Sequence, residues 1–344
     1  MNVVYYSSDF FSEMCAISIL SLCEKNRNTE TINIFIVEDG ITEKNKKRLL
    51  KITDRFNRNL EFIHMPTQDE IYPGVKVNLG RTYTRMALAE ILPEKVERVL
   101  SLDSDTLILD SLKNMYNTKF KKNEYVAGVY DCVGKSIQKG VLHAPDDIKY
   151  CNAGMFLIDL KKWRHENVGR QLLEMVLEKA DGKHTMYFLE QDLMNLVFHG
   201  HLRLLHPRYN MLTSLSLFDY KEVIKMKKPV SYYSCEILAE AKEKPVLIHA
   251  TTCFYVQKRM WVEGSDHPYA KQYQQYRLQT DWAKEPLIQD NRTFTKKIYS
   301  SFWHLMPRGV AINLASFMIN YVRPAYARVT SKLNVSTIAK QSAT

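Results

Sequence analysis

Short apolar runs alternate with helix-forming segments through the first hundred residues, and few folds accommodate that alternation. Residues 3–6, 32–37, 60–65 and 99–102 read as strands. Between them, residues 11–23 carry apolar side chains over most of a helical surface, as a helix buried against a sheet does. Thr42 caps a basic amphipathic helix, and residues 85–92 form a helix stopped by Pro93. Strands alternating with helices imply βαβ units and a mostly parallel sheet, an α/β fold. In open α/β sheets, ligands bind beyond the carboxyl ends of the strands. Two polar clusters fall at such ends: Ser7-Ser8-Asp9 and Asp103-Ser104-Asp105.

Farther along, residues 125–130 read as a strand, 132–150 as a polar loop, and 151–160 as an apolar strand. Residues 160–179 and 191–198 read as helices and 202–205 as a strand. Residues 209–244 are irregular and aromatic, suiting a binding wall or lid. Residues 246–248 form a final strand with His249 at its end, and no internal repeat appears.

The RVLSLDSD segment places two carboxylates two residues apart just past a buried strand. Such a pair can converge on one hard divalent cation, Mg²⁺ or Mn²⁺, which commonly also holds a diphosphate. A buried run ending in paired aspartates is costly unless something compensates the charge. Two solvated loop acids would read the same way. LDSDT also fits a phosphatase motif in which Asp103 attacks phosphorus and Asp105 is the acid/base. However, such motifs usually open a chain, and no downstream acidic pair with a spaced Lys accompanies this one. His249, at a strand terminus, can join two aspartates on Mn²⁺.

Several segments in one order resemble glycosyltransferase family 8, the bacterial lipopolysaccharide galactosyl- and glucosyltransferases related to glycogenin. They are VVYYSSD at the start, TYTRMALAEILP at 82–93, VLSLDSDTLILDSL at 99–112, YCNAGMFLIDLKKWR at 150–164, EQDLMNLVFHG at 190–200, HPRYN at 206–210 and a late IHATT…KRMW…HPY. The resemblance spans residues 3–276. It implies a GT-A fold, a Rossmann-like sheet that binds a UDP-sugar with Mn²⁺ or Mg²⁺, and hexose transfer to a saccharide or glycolipid hydroxyl with retention. On that resemblance Asp103, Asp105 and His249 are metal ligands. Ser7 and Asp9, with Tyr5 beside them, line the uridine pocket. Arg85 lies near the donor and Ser104 approaches the ribose. Asn152, Ala153 and Gly154 shape the sugar pocket, and Asp131 contacts donor or acceptor hydroxyls. Glu190, Gln191 and Asp192 sit at the reacting face. The family's compact H-x-x-G-x-x-K-P-W is altered here. His249 is followed by ATTCFYVQ before Lys258, so Lys258 is the candidate diphosphate lysine on a longer loop.

The chain has 344 residues, enough for two domains or one large domain with an appendage. The resemblance suggests a transferase domain over 1–280 and a tail over 281–344. Lys and Arg total 48 against 38 Asp and Glu. Residues 291–344 hold eight of the basic residues and no acid, so the body is nearly neutral. A basic tail on a neutral body suggests a surface-binding appendage. Within it Phe294, Ile298, Phe302 and Leu305 recur at helical spacing. From Val310 onward, Asn313, Ser316, Asn320 and Arg323 form one polar stripe. Such helices with basic flanks can lie in an anionic bilayer interface, implying a peripheral enzyme on the inner face of a bacterial cytoplasmic membrane. Nucleic acid is not an expected partner, since no such motif appears. A binding protein that transfers nothing is the other class. Neither a signal peptide nor a membrane-spanning helix is expected. The six cysteines match no zinc or disulfide framework and read as reduced thiols. Oligomerisation is left open.

Overall fold

Apolar strands covered on both faces build the core. In the computed structural model, which describes residues 1–76, 83–179, 188, 190–256 and 258–327, the strands are β1 (Asn2–Ser8), β2 (Asn33–Asp39), β3 (Asn59–His64), β4 (Arg98–Leu102), β5 (Thr106–Ile108), β6 (Val126–Tyr130), β7 (Cys151–Asp159), β8 (Leu202–Leu204), β9 (Met211–Leu212) and β10 (Leu247–His249). Seven form one sheet in the order β3-β2-β1-β4-β7-β6-β8. All neighbours in it are parallel except β7, which runs antiparallel to β4 and β6. Period-two alternation divides the β1 side chains between the faces. Val3 and Tyr5 join the apolar cluster containing Met14 and Ile17 of the helix Ser12–Lys25, whereas Val4 joins the cluster of Phe35, Trp163 and Phe198 on the other face. Because both faces are buried, the inner strands read as continuous apolar runs, whereas the edge strand β3 is buried on neither face.

A second sheet of three short strands, β5-β10-β9, packs beside the first. Asp103-Ser104-Asp105 is the link between β4 of one sheet and β5 of the other. His249 therefore does not end a strand of the main sheet, as the linear reading implied. It lies on β10, paired with Thr106 of β5, and faces the carboxyl edge of β4 across the seam.

Two expected helices are broken. The segment 85–92 forms the turns Tyr83–Met86 and Leu88–Ile91, and 160–179 forms Leu160–His165 and Val168–Lys179, separated by Asn167 at φ 52°. The irregular stretch after Tyr209 contains the helices Tyr220–Lys227 and Cys235–Glu243, N-capped by Asp219 and Ser234.

Beyond residue 280 the chain stays on the body. Asp281 and Glu285 pair with Lys51 and Arg48 at 2.8 and 2.6 Å. The helices Phe294–Leu305 and Arg308–Phe317 follow. Trp303 is buried against Phe254, with ring centroids 4.6 Å apart, and Arg308 pairs with Glu222 at 2.6 Å. The polar stripe of the tail is divided: Ser316 and Asn320 turn inward with Ile312 and Ile319, whereas Asn313 and Arg323 stay exposed. Ser316 Oγ and Asn320 Nδ2 donate to the Lys225 and Met226 carbonyls at 2.8 and 2.9 Å, satisfying the open end of the helix Tyr220–Lys227. Phe302, Leu305, Phe317 and Tyr321 are exposed beside them. Arg328, Lys332 and Lys340 lie outside the described residues.

Candidate active site

Because β7 is antiparallel, its first residues arrive at the carboxyl edge where β4 ends, and the Asp103 amide donates to the Gly154 carbonyl at 2.9 Å. This brings Asn152, Ala153 and Gly154 against the Asp-x-Asp turn. His249 Nε2 lies 3.4 Å from Asp103 Oδ2 and 3.1 Å from Asp105 Oδ1. Oxygen and nitrogen atoms of the three side chains all fall within 4.8 Å of one another. The space is made by a missing side chain. A Cβ on Gly154 would strike the His249 ring, lying 2.6 Å from Nδ1, and would come within 2.8 Å of Asp103 Oδ2.

Asn152 organises the cluster. Its Oδ1 receives the Gly154 amide at 3.0 Å and Asn210 Nδ2 at 3.1 Å, and lies 3.1 Å from His249 Nδ1. With Nδ1–H donating to Asn152, Nε2 is the nitrogen turned toward the carboxylates, which is the tautomer a metal-binding imidazole needs. Two carboxylates, one oriented imidazole and a cradle cleared by glycine fit a hard divalent cation.

Positive charge otherwise balances the aspartates. Arg85 pairs with Asp103 and, through Nε at 3.1 Å, with Glu190. Arg259 Nη1 reaches Asp105 Oδ2 at 3.1 Å. Burial disfavours the Asp103 carboxylate, but the Arg85 charge and the His249 bond outweigh it and hold its pKa well below the usual range. Burial pushes Glu190 up to about 7, against the Arg85 charge and with that of Asp103. Burial alone would lower the His249 pKa from 6.5, yet the Asp105 charge and the bonds to both aspartates raise it to about 10. In the metal-free protein this imidazolium stabilises the fold fully below pH 6.5, and the contribution is lost as the pH rises through about 10. A cation needs the neutral ring, so binding must expel that proton. Mn²⁺ binding should release about one proton per ion between roughly pH 7 and 9, with affinity rising over that range. Calorimetry in buffers of different ionisation enthalpy reads this directly; a pH-independent affinity would contradict it.

On the other side of the β7 start, Gln191 Oε1 accepts from the Ala153 amide at 2.9 Å and Asn152 Nδ2 at 3.1 Å. Its Nε2 donates to Asp131 Oδ2 at 3.1 Å. Asp131, Asn152 and Gln191 line one end of a cavity of about 420 Å³.

Four expected positions come out differently. Tyr5 is fully buried in the core with its hydroxyl on Ser18 at 3.0 Å, because strand alternation turns it to the helix face. Tyr6, the next residue, turns to the site and lies under the Arg85 guanidinium at 5.1 Å from the ring centroid. Asp9 is at the expected edge, but its Oδ1 accepts from the Thr42 amide, the Thr42 hydroxyl and Asn45, each at 2.8 Å, holding the start of the helix Glu43–Asp54. Asp192 is buried, accepting from the Tyr150 hydroxyl and from the Phe188 amide at 2.6 Å, which fixes the start of the helix Glu190–Val197. Lys258 Nζ donates to the Glu263 carbonyl at 3.0 Å, away from the cluster. Its neighbour Arg259 points in, toward Asp105. Ser7 is buried at the edge beside Ser8, and Ser104 Oγ donates to the Tyr6 carbonyl at 2.9 Å.

The sequence model of glycosyl transferase family 8 matches residues 2–252. The chain belongs to this family. Its members are retaining, UDP-sugar-dependent hexosyltransferases, so the phosphatase reading of LDSDT and the non-catalytic reading both fall. This glycosyltransferase is 23% identical over 284 residues to general stress protein A of Bacillus subtilis, a match covering 82% of this chain and 94% of that one. It is 23% identical over 230 residues to the lipopolysaccharide 1,3-galactosyltransferase of Salmonella typhimurium, covering 65% and 66%. Its fold matches that of galactosyltransferase LgtC, solved with donor and acceptor sugar analogs, at a TM-score of 0.64 and 22% identity, covering 82% of this chain and 99% of that one.

Proposed function

We propose that this glycosyltransferase moves galactose or glucose from a UDP-sugar to a saccharide hydroxyl in cell-surface polysaccharide or lipopolysaccharide synthesis. The observation that carries the reading is the convergence of Asp103, Asp105 and His249 around the space left by Gly154, with Asp131 and Gln191 at a cavity directly beyond it. Mn²⁺ or Mg²⁺ held by those three side chains would offset the charge that grows on the departing diphosphate. Arg85 and Arg259, each now on a carboxylate, supply further cationic donors on the diphosphate side. Arg259 takes the place expected for Lys258. Arg259→Ala should weaken UDP binding in the presence of Mn²⁺ by about tenfold, with Lys258→Ala changing it little. The opposite ranking would restore the lysine.

The acceptor hydroxyl enters from the cavity side and is oriented by Asp131, whose Oδ2 is committed to Asn152 and Gln191. Gln191 is a neutral amide and a feeble nucleophile, and its carbonyl is engaged by Ala153 and Asn152. It works by holding the floor of the site rigid beneath a sugar that becomes oxocarbenium-like. A donor panel of UDP-sugars with Mn²⁺, read as UDP release with and without saccharide acceptors, tests the reading. Release from UDP-galactose or UDP-glucose is expected, and its absence from every UDP-hexose would overturn the proposal.

The tail supports attachment to a membrane surface. No helix among the described residues is long and apolar enough to cross a bilayer. Phe302, Leu305 and Phe317 are exposed on the tail, with Lys296 and Lys297 exposed nearby in sequence. Apolar anchors with free cations suit the anionic inner face of the cytoplasmic membrane, at about 1 kcal/mol per cation near the surface. The full chain should sediment with phosphatidylglycerol vesicles and not with phosphatidylcholine ones. The triple variant Phe302→Ser, Leu305→Ser, Phe317→Ser should lose that binding; retention would contradict the attachment. Truncation is the poorer test, since it uncovers Phe254 and removes a wall of the cavity.

A further inference from the structure

The cavity beyond Asp131 and Gln191 is not lined like a neutral sugar site. Its lining includes the C-terminal tail, through Tyr299, Ile319 and the exposed Arg323, and the end of the helix Tyr220–Lys227. Lys227 and Arg323 thus come from separate elements to one cavity, and neither has a carboxylate within ion-pair distance among the described residues. Lys227 is half-buried, and its ammonium draws down the pKa of both the Cys132 and Cys253 thiols, which burial raises. Both cysteines line the same cavity, so the charge is aimed inward among thiols and apolar side chains rather than out to water. Half-buried Lys227 gains little from hydroxyls and much from an anion, because the effective dielectric there is below that of bulk water, and exposed Arg323 adds a second cationic donor to the same lining.

We infer that the acceptor of this glycosyltransferase is a phosphate-bearing saccharide, its sugar on Asp131 and its phosphate between Lys227 and Arg323. This rests on the transfer reading above and names the acceptor class for it. The phosphate could belong to a free sugar phosphate or to a lipid-linked one, and the exposed apolar face of the segment that supplies Arg323 gives the second a physical basis.

Three probes separate these outcomes on the full chain saturated with UDP and Mn²⁺: glucose, glucose 1-phosphate and decyl glucosyl phosphate. Binding is measured by calorimetry. Glucose 1-phosphate should bind at least about tenfold more tightly than glucose. A further gain from the decyl chain identifies the lipid-linked source, and no further gain identifies the free one. The double variant Lys227→Met, Arg323→Met keeps the apolar stems and should bring glucose and its phosphate to equal affinity without changing UDP affinity. Equal binding of the two by the unaltered protein, no detectable binding of the phosphate, or a preference that survives the double variant would each overturn the inference. Failure of the unaltered protein to bind UDP would instead strike the transfer reading.

Discussion

Asp105→Asn is expected to lower sugar transfer about a thousand-fold, roughly 4 kcal/mol of lost transition-state stabilisation, while the protein remains folded. Asp105 touches His249 on one oxygen and Arg259 on the other. The amide keeps its shape but removes the charge that gathers a cation. Added Mn²⁺ should not restore the rate, because the loss lies in charge stabilisation as well as in occupancy. Far-ultraviolet circular dichroism beside initial rates of UDP release checks both halves. Near-normal transfer by Asp105→Asn at saturating Mn²⁺ would remove Asp105 from the metal site.

Gly154→Ala should be nearly as damaging despite adding a single carbon. The new Cβ meets the His249 ring and Asp103 Oδ2, and neither can retreat easily. His249 is held by Asn152, and Asp103 by Arg85 and by its own backbone bond to residue 154. We expect Mn²⁺ affinity to fall 10–100-fold, the range found when the partners that orient metal ligands are disturbed, with activity falling at least as far. Gly309→Ala is the matching control, since nothing lies within 4 Å of a Cβ there. If Gly154→Ala binds Mn²⁺ like the unaltered protein, the crowding at this seam has been misjudged.

The main sheet was legible because its inner strands are buried on both faces and its early strands alternate with helices. Thr42 accepts the Asn45 amide at 3.4 Å as the expected cap. The second sheet was not legible as such. Its strands are two or three residues long, and their pairing is a long-range fact that no local pattern records. That is why His249 could be placed near the aspartates by resemblance but not by topology. The placement of Tyr5 follows from strand alternation alone. In a strand whose Val3 faces the buried helix, residues 3 and 5 share a face and Tyr6 takes the other. Asn152 offered a local signal, a polar side chain inside an apolar strand that must find partners when buried. Arg259 had no comparable signal, since one residue of difference in a loop decides whether it or Lys258 faces the site. The tail carried a clear stripe, but a stripe does not say which side meets water. Ser316 and Asn320 had helix carbonyls to satisfy, and so those two went inward while Asn313 and Arg323 stayed in solvent.

A crystal grown with Mn²⁺ and UDP, measured at the manganese absorption edge, addresses the metal site itself. The account predicts one anomalous peak coordinated by Asp103, Asp105 and His249 Nε2 and by diphosphate oxygens. Ordered UDP with no ion between those three side chains would contradict it.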